Sequence, residues 1–257
     1  MSEAAYESLE LERDGAVLRV WLNRPERLNV IDNTMLEELT HLYDSAATDF
    51  HVRVVVLGGR GRTFCAGFDR NPPQRKGETT GRQRRYEMQL GRRACRAIEE
   101  CEAITVARLH SHVLGGGFCF AQACDFRVAA SDVKLRLPEV EIGLPLGWGG
   151  VPRLIHEVGA SRAREILMLA EDIEAERALH WSLVHRVSEP DGLDDAVDRL
   201  VERLLGQPEL PLYQTKTQLR GHAAAARLAD ASEADGDLIA TAGRDPETLA
   251  RFAIPKK

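Results

Sequence analysis

The sequence predicts an α/β fold that ends in an all-helical region, and two features of the residue pattern carry this prediction. Short β-branched runs at 52–57 and 104–109 are typical of buried strands in a parallel sheet. Segments whose apolar residues recur at helical spacing lie between and after these runs, and from Leu193 onward every periodic segment is helical. We therefore predict an α/β core over residues 1–192 and a helical region over residues 193–257.

Local patterns along the chain predict the individual elements. The Asp14-Gly15 pair is expected to join two strands, at 6–11 and 16–22, in a hairpin. Thr34 and Glu37 have the spacing of a capping box and begin a helix whose apolar face runs to Ala46. Between 138 and 150, frequent Gly and Pro residues argue against regular structure. Further strands are predicted at 52–57, 104–109, 127–130 and 183–187, and further helices at 82–100, 117–126, 160–170, 174–180, 193–205, 212–220, 223–242 and 246–252.

Composition and charge argue against several classes of function. The 257 residues are 44% apolar and 29% charged, which is ordinary for a globular protein. The net charge of −6 argues against general binding to nucleic acid or acidic membranes, and no apolar run reaches the length of a membrane span. The acidic N-terminus shows no targeting pattern. The five cysteines are odd in number and lack metal-ligand spacing, so we expect reduced thiols in a cytoplasmic protein without a metal site.

The run HSHVLGGGFC at 110–119 leads from a strand through three glycines into a helix. Glycine lets the backbone bend sharply and approach a ligand closely. The first amides of a helix lack intrahelical acceptors and lie at the positive end of the helix dipole. The run is therefore compatible with a backbone cradle for an oxyanion, or with a tight turn and close helix packing alone.

Two further features leave alternatives open. Residues 75–93 hold seven Lys or Arg against two Glu, which is typical of a solvated helix face or of a patch for ligand phosphates. Strand alternation would place His110 and His112 on one face, opposite Ser111, where they are either packed or catalytic.

Six short segments carry a more specific pattern, namely NRPERLNV at 23–30, FCAGFD at 64–69, LGGG at 114–117, CD at 124–125, LPEV at 137–140 and IGLP at 142–145. In this order and spacing they resemble the crotonase superfamily, which includes the enoyl-CoA hydratases and isomerases. The resemblance covers residues 5–255. It implies a crotonase-like (ββα) spiral core, an acyl-CoA thioester as substrate with no further cofactor, and a homotrimer or dimer of trimers. Residues 193–257 would cover the site and take part in oligomerisation.

The resemblance also implies roles for individual residues. The backbone amides of Phe68 and Gly116 would form an oxyanion hole for the enolate of the thioester, and Glu139 would be the acid/base group. Lys216 is a further candidate for contact with coenzyme A. The implied coenzyme A binding residues are Arg27, Cys65, Ala66, Asp69 and Arg70, and the implied acyl-pocket residues are Phe118, Cys119, Gly147 and Trp148.

Position 119 departs from the hydratase pattern. Hydratases of this superfamily carry a glutamate three residues after the middle glycine, where this chain has Cys119. Adding water across a double bond requires one group to activate water and another to deliver a proton. With Glu139 alone, isomerase or lyase chemistry is favoured over efficient hydration, and an apolar pocket should raise the pKa of Glu139.

The same departure leaves other interpretations open. Loss of the first glutamate is compatible with a non-catalytic acyl-CoA-binding protein. Cys119 at a helix start is either an apolar filler or the nucleophile of an acyl transferase or thioesterase. Glu141 is either exposed to solvent or a second carboxylate that the loop turns into the site.

Overall fold

The computed structural model describes residues 6–71, 80–226 and 232–252 and has two sheets. The larger sheet has six strands in the order β1-β2-β3-β4-β6-β9, and only the β1–β2 pair is antiparallel. The smaller sheet has three strands in the order β5-β7-β8. The strands are β1 (Leu9–Asp14), β2 (Val17–Leu22), β3 (Val54–Gly59), β4 (Ile104–Leu109), β5 (His112–Leu114), β6 (Phe126–Ala130), β7 (Lys134–Arg136), β8 (Ile173–Glu174) and β9 (Arg186–Ser188).

Helices pack against the larger sheet and form most of the C-terminal region. In the described residues from Leu193 onward the regular structure is helical, as the pattern predicts. No helix of the described ranges is long and apolar enough to cross a membrane. The helices are α1 (Asn33–Ala46), α2 (Gly81–Met88), α3 (Leu90–Glu100), α4 (Gly116–Ala123), α5 (Gly150–Leu169), α6 (Ala175–His180), α7 (Leu193–Leu205), α8 (Glu209–Ala226), α9 (Asp235–Ala242) and α10 (Pro246–Phe252).

Several predicted helix boundaries are wrong. The cap of α1 is Asp32, whose carboxylate accepts from the amide of Met35 at 3.0 Å, and the capping box expected of Thr34 and Glu37 is not used. The helix predicted at 82–100 is interrupted at Gln89. The helix predicted at 160–170 begins at Gly150 and bends at Gly159. Part of the helix predicted at 223–242, residues 227–231, and part of the basic stretch, residues 75–79, lie outside the described residues.

Both faces of the larger sheet are covered, which explains its near-continuous apolar strands. All six residues of β3 are buried. On one face, α1, α3 and α4 contribute to the main core, and on the other α7 packs its apolar stripe on β3, β4 and β6. The α7 residues buried there are Leu193, Ala196, Val197, Leu200, Val201 and Leu204.

Parallel pairing brings three connections to one edge of the structure. β3 continues into the loop that carries Phe68, β5 continues into the three glycines, and β7 continues into the short 3-10 helix Glu139–Ile142. Because β5 and β7 pair in parallel within the smaller sheet, the connections that follow these two strands lie close together. Cys65 forms an isolated parallel bridge with Val113, which joins the first two connections directly.

One buried tyrosine in this core yields a stability prediction. Tyr43 on α1 is fully buried, and its hydroxyl has no hydrogen-bond partner among the described residues. An unsatisfied buried hydroxyl costs about 1–3 kcal/mol, so Tyr43→Phe is expected to raise the free energy of unfolding by about 1 kcal/mol in urea denaturation. The control is Tyr6→Phe, because the Tyr6 hydroxyl lies 3.1 Å from Nδ1 of His41 and its loss should not stabilise. Destabilisation by Tyr43→Phe would contradict the argument.

Candidate active site

The loop after β3 leaves one backbone amide free. Gly67 has φ +90°, a conformation that favours glycine. Its carbonyl accepts from Ile31 N at 2.9 Å, and Asp69 N donates to Ile31 O at 2.7 Å. Phe68 lies between them, and its N–H donates to no acceptor in the described part of the chain. The two flanking bonds therefore fix the orientation of a free N–H group.

The glycine run presents a second free amide. Gly115 has φ +51° and donates to Arg136 O at 2.9 Å. Gly116 is the first residue of α4, so its N–H has no intrahelical acceptor, and the structure shows no other acceptor among the described residues. Paired backbone brings this amide near Phe68, because Leu114 N donates to Cys65 O at 3.0 Å and the Cβ position of Gly115 lies 3.9 Å from Gly67 Cα.

The third component is the carboxyl group of Glu139, at the start of the 3-10 helix. Its Oε1 lies 2.6 Å from the position that a Cβ on Gly115 would occupy, so only glycine leaves room for it. Its Oε2 is buried and has no hydrogen-bond partner among the described residues. Burial raises the pKa of Glu139 to about 7, and its own backbone amide opposes this shift weakly. The site therefore combines two free N–H donors with a carboxyl that can hold or release a proton near neutral pH.

Asp69 and Arg27, both implied ligands of coenzyme A, form an ion pair with each other. Asp69 is 3% exposed, and Arg27 Nη2 lies 3.0 Å from its Oδ2. Arg24 Nη2 is 3.7 Å from the same oxygen, and Asn71 N donates to Oδ1 at 2.9 Å. The carboxylate therefore anchors the residues that flank Phe68.

Arg70 is also engaged within the fold. Its Nε donates to Phe252 O at 3.2 Å and its Nη2 to Arg251 O at 3.1 Å, at the end of α10. Its guanidinium carbon lies 5.3 Å from the centre of the Phe252 ring. Lys216, another candidate, is buried, and Nζ donates to Asp125 and to Ala103 O, both at 2.7 Å. The structure therefore corrects the expectation that Lys216 reaches the ligand.

The two thiols near the site, those of Cys119 and Cys65, are buried. Cys119 is 1% exposed, and burial, aided by nearby Cys95 and Glu139, raises the pKa of its thiol well above 9.0. Cys65 is fully buried, its Sγ lies 3.1 Å from Asn29 O, and burial raises its pKa to about 12. Neither environment favours a nucleophilic thiolate.

Trp148 packs with two other aromatic rings and lies against Gly116. Trp148 stacks on Phe120 with ring centres 5.7 Å apart and meets Phe68 edge-on at 6.2 Å. Phe68 is 41% exposed, whereas Phe118 is 2% exposed and lies in the main core. Gly147, the remaining implied pocket residue, is buried next to Ile239 of α9. The C-terminal helices thus reach the loop that carries Trp148.

The residues that hold the Trp148 loop in place were not predicted from the sequence. Arg153 on α5 donates to Trp148 O at 3.0 Å and Gly149 O at 3.1 Å, and pairs with Glu99 of α3 at 2.6 Å. Asp235 of α9 accepts from Gly149 N at 2.8 Å. A charged residue amid the apolar residues of VPRLI, at 151–155, was the available indication of a buried arginine.

The sequence left open the roles of Glu141, His110 and His112, and the structure shows where each side chain lies. Glu141 is exposed and accepts two bonds of 2.7 Å from Arg136. Ser111, with φ +52°, separates β4 from β5, so the face predicted to unite His110 and His112 does not form. His110 instead places Nε2 3.1 Å from Gly61 O, and burial lowers its pKa. His112 is exposed.

Comparison with known proteins identifies the family. A family model described as enoyl-CoA hydratase/isomerase matches residues 12–250. The short-chain-enoyl-CoA hydratase of Clostridium acetobutylicum is 31% identical over 235 residues, 90% of this chain and 89% of that protein. The crystal structure of an enoyl-CoA hydratase from Mycobacterium avium subsp. paratuberculosis superposes with a TM-score of 0.86 at 26% identity, covering 96% of this chain and 95% of that chain.

A similar structure with a different activity is a monofunctional enoyl-CoA isomerase from M. smegmatis, with a TM-score of 0.73 at 29% identity over 87% of this chain and 97% of that chain. The predicted crotonase-like α/β fold is confirmed by these superpositions. The chain belongs to the enoyl-CoA hydratase/isomerase family of the crotonase superfamily, whose members act on acyl-CoA thioesters.

Proposed function

We propose that this acyl-CoA enzyme moves a proton within a bound enoyl thioester, that Glu139 is its one acid/base group, and that it hydrates double bonds poorly. The observation that carries the proposal is the carboxyl of Glu139, whose buried Oε2 has no partner among the described residues and whose pKa is raised to about 7. Such a group can act as a base and then as an acid within one catalytic cycle.

The amides of Phe68 and Gly116 would stabilise the enolate. Removing a proton next to a thioester places negative charge on the carbonyl oxygen, and N–H donors aimed at it are worth about 3–4 kcal/mol each. Gly116 opens α4, so the helix dipole acts in the same direction. The bonds that flank Phe68 through Ile31 keep its N–H in place before substrate binds.

Proton balance is complete with one carboxyl. The Glu139 carboxylate would remove a proton from the α carbon of a 3-enoyl thioester, giving a dienolate and a neutral carboxyl. The carboxyl would return the proton to the γ carbon, which yields the 2-enoyl thioester and restores the carboxylate. A lyase reaction that forms an enolate, such as loss of CO₂, makes the same demand on the two amides.

Cys119 supports isomerisation over hydration. Hydration requires a second group to activate water. The thiol at this position is buried and its pKa is raised well above 9.0, so it cannot act as a base near neutral pH. The same environment argues against the alternative of a covalent acyl-thiol intermediate on Cys119, which predicts an acyl adduct in mass spectrometry.

The contacts support different roles for the implied coenzyme A residues. We propose that Arg27 and Ala66 border the coenzyme A moiety, Arg27 through the part of its side chain that stays exposed beside Asp69. Cys65 is fully buried and its backbone is paired with His112 and Leu114, so we propose that it holds the loop beside the coenzyme A moiety. For Asp69 and Arg70, the internal bonds support positioning of the Phe68 loop instead.

We also propose a cytoplasmic homotrimer or dimer of trimers, as the superfamily resemblance implies. Exposed apolar side chains on α5 and α6 provide surface that subunit contacts would bury, and Met168 is 70% and Leu169 57% exposed. Sedimentation equilibrium of the purified chain would test this assembly, and a monomer would contradict it.

Activity assays across pH test the proposed reaction. A 3-enoyl-CoA should be isomerised with kcat/KM about 100-fold lower near pH 5 than near pH 8, because the base form of Glu139 is populated only above its pKa of about 7. Hydration of crotonyl-CoA should be slower than isomerisation of the 3-enoyl-CoA by about tenfold or more. Tight acyl-CoA binding without turnover of either substrate would favour the alternative of a non-catalytic binding protein, for which Cys119 is the motivating observation.

A further inference from the structure

We propose that Trp148 determines which acyl groups this enzyme accepts, because its indole ring fills the space beside the Gly116 amide and excludes branched and aromatic acyl groups. The inference rests on the proposed acyl-CoA site and adds its substrate class, namely acyl thioesters that are slender next to the carbonyl. It also assigns Arg153 as the positioning residue that holds the ring.

The ring contacts the backbone of the proposed oxyanion site. Atoms Cζ3 and Cη2 of Trp148 lie 2.2 and 2.5 Å from the position that a Cβ on Gly116 would occupy. A thioester oxygen bound to the Gly116 N–H would lie about 3 Å from that nitrogen. In the proposed binding mode, the carbon atoms that follow the thioester carbonyl pass along the indole ring.

Two glycines on different helices form the slot for the ring. The five-membered end of the indole lies against Gly91 of α3, where a Cβ would be 1.9 Å from Cε2 and 2.2 Å from Nε1. The six-membered end lies against Gly116 of α4. Phe120, one helical turn after Gly116, stacks on the same ring at 5.7 Å. Side chains at either glycine would exclude the indole, so the slot is matched to it.

The backbone at Trp148 is in a conformation that bulky residues rarely adopt. Its φ is +62°, in the left-handed region, and Gly149 follows at +69°. Glycine would adopt this turn without strain, and glycines already occupy 147, 149 and 150. A strained aromatic residue persists only where surrounding contacts hold it, and such positions cluster at ligand sites.

Arg153 provides that restraint. Its Nη1 donates to the carbonyls of Trp148 and Gly149, while Nη2 pairs with Glu99 on α3. The guanidinium is buried, so these bonds are shielded from solvent. Because Glu99 lies on the same helix as Gly91, one ion pair fixes the turn relative to one wall of the slot.

Binding of two unreactive thioesters tests the proposal without requiring turnover. Butyryl-CoA is slender beside the carbonyl, and benzoyl-CoA carries a ring there. In isothermal titration calorimetry, the protein should bind butyryl-CoA about tenfold more tightly or better than benzoyl-CoA. Trp148→Ala should leave an apolar hole of ring size and shift this ratio by about tenfold or more towards benzoyl-CoA. Trp148→Phe, which keeps a smaller ring in the slot, should shift it less.

The control and positioning variants separate specificity from folding. Trp181→Ala removes an indole that lies next to Arg177, at 4.1 Å, and should leave the ratio unchanged. Arg153→Met should shift the ratio in the same direction as Trp148→Ala and add nothing in the double variant. Arg153→Lys should restore part of the discrimination, since it keeps the charge beside Glu99 but lacks the fork that holds both carbonyls.

Three results would overturn the inference. One is a folded Trp148→Ala or Trp148→Phe variant whose ratio changes by less than about twofold. Another is equal affinity of the unmodified protein for both thioesters, which leaves the acyl-CoA site intact but removes its selectivity. The third is a lack of binding of either thioester, which would reject the proposed acyl-CoA site together with the inference.

Discussion

Glu139→Gln is expected to lower kcat for isomerisation of a 3-enoyl-CoA by about 100-fold to 10,000-fold, the range that general acid/base catalysis contributes. Glutamine has the shape of the carboxyl but neither accepts nor releases the transferred proton. KM should change little, because the coenzyme A moiety is proposed to bind away from Glu139. Steady-state kinetics on the purified variant measure both parameters.

The same variant should be more stable than the unmodified protein above neutral pH. Burial raises the pKa of Glu139 from 4.5 to about 7, so the folded state favours the neutral form. Its stabilising effect is complete below about pH 4.5 and is lost as the pH rises through about 7. At roughly 1.4 kcal/mol per pKa unit, the advantage of Glu139→Gln should grow by up to about 3 kcal/mol between pH 4 and pH 8 in urea denaturation.

The control for this residue is Glu141→Gln. Glu141 lies two positions away but is exposed and bonded to Arg136, so its variant should keep kcat within about twofold. Full isomerase activity in Glu139→Gln would reject the assigned mechanism.

Gly116→Ala is expected to lower kcat by about 100-fold, the effect of losing one oxyanion donor. The new Cβ would lie 2.2 Å from Cζ3 of Trp148 and 3.1 Å from Cδ1 of Ile31, so the first turn of α4 must shift and displace the amide. Overpacking of this kind should also lower stability by about 1–3 kcal/mol. Kinetics and thermal unfolding measure the two effects.

Two further variants test whether the loss of kcat comes from the clash between the new Cβ and Trp148. Gly116→Ala combined with Trp148→Ala removes the clash while keeping the N–H group, so stability and part of kcat should return. Gly221→Ala on α8 adds a Cβ with no atom within 4 Å and should stabilise the helix by about 0.5–1 kcal/mol without affecting kcat. Unchanged kcat in the single Gly116→Ala variant would argue against a donor role for this amide.

Local sequence patterns predicted the elements better than their boundaries. The Asp14-Gly15 hairpin was expected and is present, with Leu9 paired to Leu22. The interruption at Gln89 was not expected, because the apolar spacing of 82–100 continues through it. Helix periodicity is a property of side chains, whereas a break in a helix depends on what the two halves pack against.

The site shows a similar division. Two free amides at Phe68 and Gly116 follow from a glycine turn and a helix start, which are local properties that a sequence can display. The engagement of Arg70 depends on a carbonyl 182 positions away, and no local pattern reports it. A charged residue that looks like a ligand contact in the sequence can therefore be bonded to a distant part of the fold.

By itself, the sequence determined the α/β fold class, the family, the glycine turn, the retained Glu139 and the cysteine at position 119. Only the tertiary structure decided that Oε2 of Glu139 is buried and that the Trp148 ring lies between Gly91 and Gly116. The physical reason is that burial, and hence a raised pKa or a filled slot, depends on distances between groups far apart in the chain. Residue identity sets which chemistry is available, and packing sets which protonation state and which space remain for a ligand.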